Sequence, residues 1–403
     1  MRITKLIIAL VVSFAAATAC ANTDTTRSSV PAGPSGGPIK IGVIVPLSGP
    51  AGPNGEDVLK AIQVQTDLIN QSGGVLGRQL QVVGKDDQSN PATGVSAANE
   101  MASEGASVVM GGWNSPVTLA IQPVLTRAGI LNITTIPQNA SILGGADPDA
   151  IRMNAGNTVG AYAAGEYIGE TLHAKRVGLL VQNDAYGNDA GALVGQRLRS
   201  MGVQVVSEQK FAYTDTDFRV PLSNTLAATP DVVFSANAAE SSGMPAMAKQ
   251  YAGARATAPH FAGLGTVSQK VIDLAGGAAV DGLVSADIYF PEAPPFAEIP
   301  ANRTFIEAYQ RRFNGELPDK YRALGAQSVD IWAKAVRNAG SLDRARVAGA
   351  IKGHSFPGTI LGDVRFTAGG QMKAKVYAFT VAGGKIQVRE EIPVPDAVWE
   401  SRG

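Results

Sequence analysis

From Ile39 onward, short runs of β-branched residues alternate with stretches of helical periodicity. That alternation restricts the chain to βαβ units on a mainly parallel sheet with helices on both faces. The spacing predicts strands at 39–45, 80–86, 107–111 and 130–134. A helix over 56–71 puts Val58, Ala61, Ile62, Leu68 and Ile69 on one face and stops at Gly73-Gly74, a left-handed stop that glycine takes without strain. Pro91 and Pro116 follow Asn90 and Ser115, the arrangement of first-turn prolines behind N-cap side chains. A second alternation starts near Ile151, with helices at 157–172, 187–201, 218–228 and 240–252. Its strands fall at 177–181, 203–210, 231–235, 260–262 and 283–286. Helices follow at about 300–313, 325–339 and 343–352, then strands at 360–366, 374–381 and 385–392, the last two joined by Ala382-Gly383-Gly384. Two parallel sheets of similar size therefore share one α/β chain.

The 403 residues, 45% of them hydrophobic, suffice for two or three domains at ~100–200 residues each. Lys+Arg and Asp+Glu balance at 34 each with no basic cluster, which argues against nucleic acid, whose binding rests on concentrated positive charge. One cysteine makes no intramolecular disulfide, and three scattered histidines (His173, His260, His354) offer no metal-ligand spacing. No metal and no cofactor is expected.

The first residues have the layout of a secretory signal: Arg2 and Lys5, an apolar run, then small side chains. Leu6 to Ala19 as a helix would reach only about 21 Å at ~1.5 Å per residue, short of a ~30 Å hydrocarbon core. Cys20 directly follows Ala17-Thr18-Ala19, which resembles the lipobox of bacterial lipoproteins, where the thiol of the first mature residue takes a diacylglyceride. Removing 1–19 leaves 32 basic against 34 acidic side chains, net −2. Residues 20–37, rich in Ser, Thr, Gly and Pro, read as a flexible tether. The body is thus expected outside the cytoplasm, anchored to the cell membrane by a lipid.

Catalytic motifs are scarce. No Gly-x-Ser-x-Gly elbow and no Walker loop occurs. The loop Ser48 to Gly55 follows the first strand, but it does not fit Gly-x-Gly-x-x-Gly and its two prolines each remove an N–H donor. Asp86-Asp87 could serve as an acid–base pair or hold a metal, yet no third ligand is close in sequence, and a solvated strand end is the expectation. These residues argue against an enzyme.

In order and spacing, several segments resemble the periplasmic substrate-binding proteins of branched-chain amino acid (Leu/Ile/Val-type) ABC transporters. They are Ile41-Gly42 through Pro46-Leu47-Ser48-Gly49-Pro50, Ile69-Asn70 with Gly73 to Arg78, Asp86 to Pro91, and Gly111 to Ser115. Ala185-Tyr186-Gly187, Thr216-Asp217-Phe218 and Pro230 to Val233 complete the set, so that the likeness covers nearly all of 39–395. The resemblance implies a type I periplasmic-binding-protein fold: two doubly wound lobes joined by a hinge, 38–155 plus 286–345 and 156–285 plus 346–395. A ligand would lie between them, where strand carboxyl ends and helix N-termini face the crevice. The implied role is to capture a small polar molecule by hinge closure and hand it to permease subunits; a ligand sensor for a membrane receptor would use the same fold.

By the same resemblance, Ser115 holds a ligand carboxylate, Trp113 and Asn114 line the same turn, and Thr134, Thr135 and Gln138 meet the ligand from the next loop. Tyr186 and Asp184 belong to the contributing loop of lobe two. The Thr134-Thr135-Ile136-Pro137-Gln138 segment departs from the pattern, and so do three further positions: the acid that pairs with a ligand ammonium is Gly265, a wall aromatic is Ala238, and the N-terminal loop aromatic is Asn54. A buried ammonium without a carboxylate costs several kcal/mol, so the ligand class should change unless Asp184, Glu240 or Asp287 substitutes. With Asn54, Asn114, Gln138 and Asn237 as polar contacts, an amide, a urea-like compound or an aromatic acid joins the amino acids as a candidate.

Overall fold

β1 (Ile39–Val45) is buried along its length apart from the half-buried Lys40, as a strand covered on both faces must be. The computed structural model describes residues 36–401. The expected signal segment, Cys20 and the tether up to Ser35 lie outside the described residues. After β1 come α1 (Gly52–Gln71), β2 (Leu80–Asp86), α2 (Pro91–Ser103), β3 (Val108–Gly111), α3 (Ser115–Arg127), β4 (Leu131–Thr134) and the short β5 (Ile151–Arg152). The five strands form one parallel sheet in the order β2-β1-β3-β4-β5, with Ile41 of β1 opposite Val82 on one side and Val108 on the other.

The second lobe opens with α4 (Asn157–Gly165), which runs on into a π-helical turn at Glu166–Thr171 where one continuous helix was expected. Then follow β6 (Arg176–Gln182), α5 (Ala185–Ser200), β7 (Gln204–Phe211), α6 (Arg219–Ala227), β8 (Val232–Ala236), α7 (Gly243–Gly253), β9 (His260–Ala262), α8 (Gln269–Ala275) and β10 (Val284–Asp287). β10, β9, β8, β6 and β7 are parallel neighbours in that order.

The remainder returns to the first lobe before finishing on the second. α9 (Pro300–Arg312) and α10 (Lys320–Ala339) pack on α1, and Gly325 lets α10 lie close, since a Cβ there would meet the Val58 carbonyl oxygen at 3.1 Å. α10 starts a turn earlier than expected because Asp319 caps it, its carboxylate accepting from the Arg322 N–H at 3.1 Å. α11 (Arg344–Ile351) packs on α10, and Arg344 pairs with Asp147 and, at 3.0 Å, with Asp149. The antiparallel sheet β11 (Ser355–Thr359), β12 (Gly362–Phe366), β13 (Met372–Lys373) joins the same lobe, with Gln327 of α10 donating to Thr359 at 2.8 Å. The return to lobe two, expected at 346, therefore comes near 374. There β14 (Val376–Ala382) and β15 (Lys385–Ile392) add antiparallel strands beside β10, and α12 (Asp396–Glu400) closes on α4. By sheet membership the chain leaves the five-stranded sheet after Arg152, leaves the seven-stranded sheet after Asp287 and rejoins it at Val376.

Two glycines set how closely α1 and α5 approach the strands that precede them. A Cβ on Gly55 of α1 would stand 1.8 Å from the Pro46 carbonyl oxygen, and one on Gly187 of α5 would stand 2.1 Å from that of Gln182. Gly55→Ala must push α1 off its strand and should cost ~1–3 kcal/mol. Gly349→Ala, exposed on α11 with nothing within 4 Å, should be neutral or stabilise by about 0.4–1 kcal/mol. Thermal melts of the two variants check the contrast.

Candidate functional site

Loops following the carboxyl ends of strands in both lobes converge on one cleft, enclosing about 430 Å³ with its open mouth included. The first lobe supplies Trp113, Asn114 and Ser115 after β3, then Ile136, Pro137 and Gln138 after β4, and Tyr321 from α10. Facing these, the second lobe presents Gln182, Asp184, Tyr186, Ala238, Gly265 and Thr266. Trp113 packs on Tyr321 with ring centroids 4.8 Å apart. The Tyr213 hydroxyl faces Trp113 and Asn114 from lobe two, its pKa raised by burial.

Ser115 is not the cap of α3. Asn114 occupies the cap position with extended backbone, and its side chain bonds no first-turn N–H. Ser115 is the first helical residue, and its Oγ accepts from the Asn139 N–H at 3.4 Å. The first turn thus points into the cleft without a capping side chain, whereas α2 and α5 are capped by Asn90 and Asp184. An uncapped helix start offers N–H groups and a partial positive charge to an acceptor.

Of the ten ligand contacts expected from sequence, Ser115, Asn114, Trp113, Gln138, Tyr186 and Asp184 line this cleft, as do the two departures Ala238 and Gly265. The others do not. Thr134 and Thr135 are buried behind it at the end of β4, Thr135 Oγ1 donating to the Gly112 carbonyl at 3.4 Å. Asn237 is buried after β8 and accepts from the Ala239 N–H at 3.0 Å. Asn54 serves as a strut between lobes: its Nδ2 donates to Glu240 at 3.0 Å, and its Oδ1 accepts from Lys270 Nζ at 2.8 Å and from Ser241. Asp87 is no solvated strand end. It is fully buried and accepts from the Ser89 N–H at 2.7 Å, and desolvation pushes its pKa up to about 6. Asp86 holds the β1–α1 turn by accepting from the Leu47 N–H at 2.8 Å and the Ser48 hydroxyl at 2.6 Å.

Sequence reasoning missed Tyr321 and, behind the wall, Lys320. The usable signal was Pro318-Asp319, a helix start just before them. Gly265 has φ +74, and a Cβ built on it would lie 1.9 Å from Lys320 Nζ and 3.5 Å from Gln138 Nε2. Lys320 donates to the Gly265 carbonyl at 3.2 Å and pairs with Asp287 at 3.2 Å, and the Tyr321 hydroxyl also donates to that carbonyl.

The family description "Periplasmic binding protein" matches residues 38–385. The chain belongs to the periplasmic binding protein family. It is 25% identical over 339 residues to a Leu/Ile/Val-binding protein homologue of Brucella abortus, covering 84% of this chain and 89% of that one. A solved leucine-binding protein of Thermotoga maritima superposes with TM-score 0.78 at 24% identity, over 88% of this chain and 98% of the other. A solute-binding protein of R. palustris solved with benzoate gives TM-score 0.80 at 22% identity, over 91% and 99%. The fold is that of a type I periplasmic binding protein, and membership makes the chain an extracytoplasmic solute-binding protein and not an enzyme.

In this periplasmic binding protein the three acids named as substitutes each hold donors of the protein, with Glu240 Oε1 left without a hydrogen-bond partner. Asp287 is held by Lys320. Asp184 accepts from the Tyr186 and Gly187 N–H groups at 2.9 and 3.0 Å and from the Gln182 amide. Glu240, 2% exposed, is bonded to Asn54. Burial pushes the Glu240 pKa up to about 8, helped by Asp319 and opposed by Ser268, Lys270 and Lys320. A carboxyl with a folded pKa above its ordinary 4.5 stabilises the fold fully below pH 4.5 and loses that contribution as pH rises through about 8. Glu240→Gln should therefore melt progressively higher than the wild type as pH goes from 5 to 9; a pH-independent difference between the two melting curves would contradict this.

Proposed function

We propose that the protein is the solute-binding component of an ABC importer, capturing a small polar molecule between its lobes by hinge closure and delivering it to permease subunits. The observation that carries this reading is the cleft itself, built from both lobes at strand carboxyl ends, with the uncapped start of α3 and Ser115 on its floor. A ligand carboxylate or carbonyl would sit on that helix start, accepting from Ser115 and the first-turn N–H groups, with Asn114, Gln138, Asp184, Trp113 and Tyr186 around it. Bonds already span the cleft from Gln138 Nε2 to the Leu264 carbonyl at 3.1 Å, and from Asn139 Nδ2 to the Ala185 carbonyl at 2.6 Å. A ligand that adds contacts to both lobes favours this touching arrangement over an open one. The relatives named for leucine, isoleucine and valine and the structure solved with benzoate define the range to screen: amino acids, amides and aromatic acids.

Thermal-shift screening followed by small-angle scattering tests the reading. A ligand at 100 times its dissociation constant stabilises by ~2.7 kcal/mol, which reads as several degrees, and should reduce the radius of gyration. Tight binding with no compaction would remove the hinge from the account. Ser115→Ala should weaken a carboxylate ligand by ~1–3 kcal/mol and, because it takes the acceptor from the buried Asn139 N–H, should also lower the melting temperature of the free protein; a lowered melting temperature with unchanged affinity would leave Ser115 a structural role only. We further propose Cys20 as the lipid attachment site, on its sequence context; Cys20→Ala should move the protein from the membrane to the soluble fraction, and unchanged fractionation would reject the anchor.

A further inference from the structure

Away from the cleft floor, one buried carboxyl stands where the two lobes touch. Glu240, between β8 and α7, is 2% exposed; its Oε2 accepts from the Asn54 amide of the other lobe at 3.0 Å, and its Oε1 has no hydrogen-bond partner. The nearest cations are engaged elsewhere. Lys270 donates to Asn54 Oδ1 at 2.8 Å and stands 3.8 Å from Asp57, and Lys320 pairs with Asp287. The groups facing Glu240 are Ser268 and Lys270 at the start of α8, Asp319, Lys320 and Tyr321 at the start of α10, and the Tyr213 hydroxyl. Asn54 and the α10 residues belong to the opposite lobe, so contact between the lobes is what takes this carboxyl out of water. The place has leverage. Asn54 follows β1, three strand positions from β5, and Glu240 follows β8, two positions from β10, the strands at which the chain leaves each sheet. At about 4.8 Å per strand these offsets are roughly 14 and 10 Å, so opening at the connecting segments separates the two residues.

We propose that closing the lobes takes up one proton from solvent onto Glu240, so that acid favours ligand capture and base favours release. In an open arrangement the carboxyl is hydrated and ionises in its ordinary range. In the touching arrangement a carboxylate would be desolvated with a single amide donor and no paired cation, whereas the neutral acid loses little on burial. Burial outweighs Lys270, Lys320 and Ser268 and, together with Asp319, pushes the closed-state pKa up to about 8 from an ordinary 4.5. Between those two values each closure binds a proton. Closure is therefore favoured fully below 4.5 and loses this contribution as pH rises through about 8. The inference rests on the solute-binding reading above and adds a proton to its closing step.

Calorimetry on the full chain with L-leucine, benzoate and acetamide, in phosphate and in imidazole buffer at pH 6.8, tests it, because the difference in heat between the buffers counts protons. A compound that binds should do so with uptake of more than half a proton, and its affinity should fall at least tenfold between pH 5.5 and 8, since one linked proton is worth about tenfold per pH unit. Binding without net uptake overturns the proposal and leaves solute capture standing. Glu240→Gln, which mimics the neutral acid, should bind with no proton uptake and with affinity flat over the same range. Uptake that persists in this variant places the proton elsewhere and overturns the assignment, whatever the change in affinity. Lys270→Gln removes a facing cation and should carry the fall in affinity to higher pH; should Glu240→Gln not fold, an unmoved fall in Lys270→Gln rejects Glu240 as the site. If none of the three compounds binds, scattering from the free protein decides. A smaller radius of gyration at pH 5.5 than at 8.5 in the wild type supports the proposal, and equal radii overturn it, while the solute-binding reading is then judged by compaction with other compounds.

Discussion

Withdrawing two charges from water costs several kcal/mol per ion, recovered only when the ions meet in good geometry with their other bonds made. Lys320 and Asp287 satisfy this across the two lobes: the lysine at the start of α10 in the first, the aspartate at the end of β10 in the second. Lys320 reaches its partner only because Gly265 has no side chain, and the Gly265 carbonyl is bonded by both Lys320 and Tyr321. The wall of the cleft, the approach of the lobes and the seating of α10 therefore depend on one another. Arg322, two residues along α10, ties the same helix start to α1 by pairing with Asp57 at 2.8 Å, and it also pairs with the cap residue Asp319 at 2.9 Å.

Each lobe brings a helix start to the cleft, and the two are finished differently. Asp184 neutralises the N-terminal turn of α5, whereas α3 carries Asn114 turned away from its own N–H groups. Two similar βα turns thus acquire opposite character: one is satisfied by its own cap, and the other has no capping side chain. The Asn54–Glu240 bond and the Lys270 contact lie apart from this floor, joining the lobes without lining the cleft.

The strands at 39–45, 80–86, 260–262 and 385–392 were legible in sequence because β-branched runs bounded by turn residues permit little else. Boundaries failed where a cap outweighed periodicity. α10 begins at Lys320, five residues before its apolar pattern becomes visible from Gly325, because Asp319 caps it; the cap position of α3 falls one residue earlier than its serine suggested, on Asn114, whose side chain makes no cap bond. Cleft residues that follow strands could be read from local order. Lys320 could not, because its relation to Gly265 spans 55 residues and exists only once α10 is docked. Thr134, Thr135 and Asn237 lie close in sequence to the cleft yet are buried by the strand ends themselves.

The interleaving of the lobes also governs the order in which the chain can become a folded body. The first sheet is complete by Arg152, but α10, whose Ser328 hydroxyl rests 3.4 Å from Met110 of β3, lies nearly 170 residues further on. A chain emerging N-terminus first must leave that face of the sheet uncovered while the whole middle of lobe two appears. Contacts of such long sequence separation are slow to form, because loop closure must be paid for before they return anything. The first sheet therefore gains the cover of α10 only once most of the chain is present.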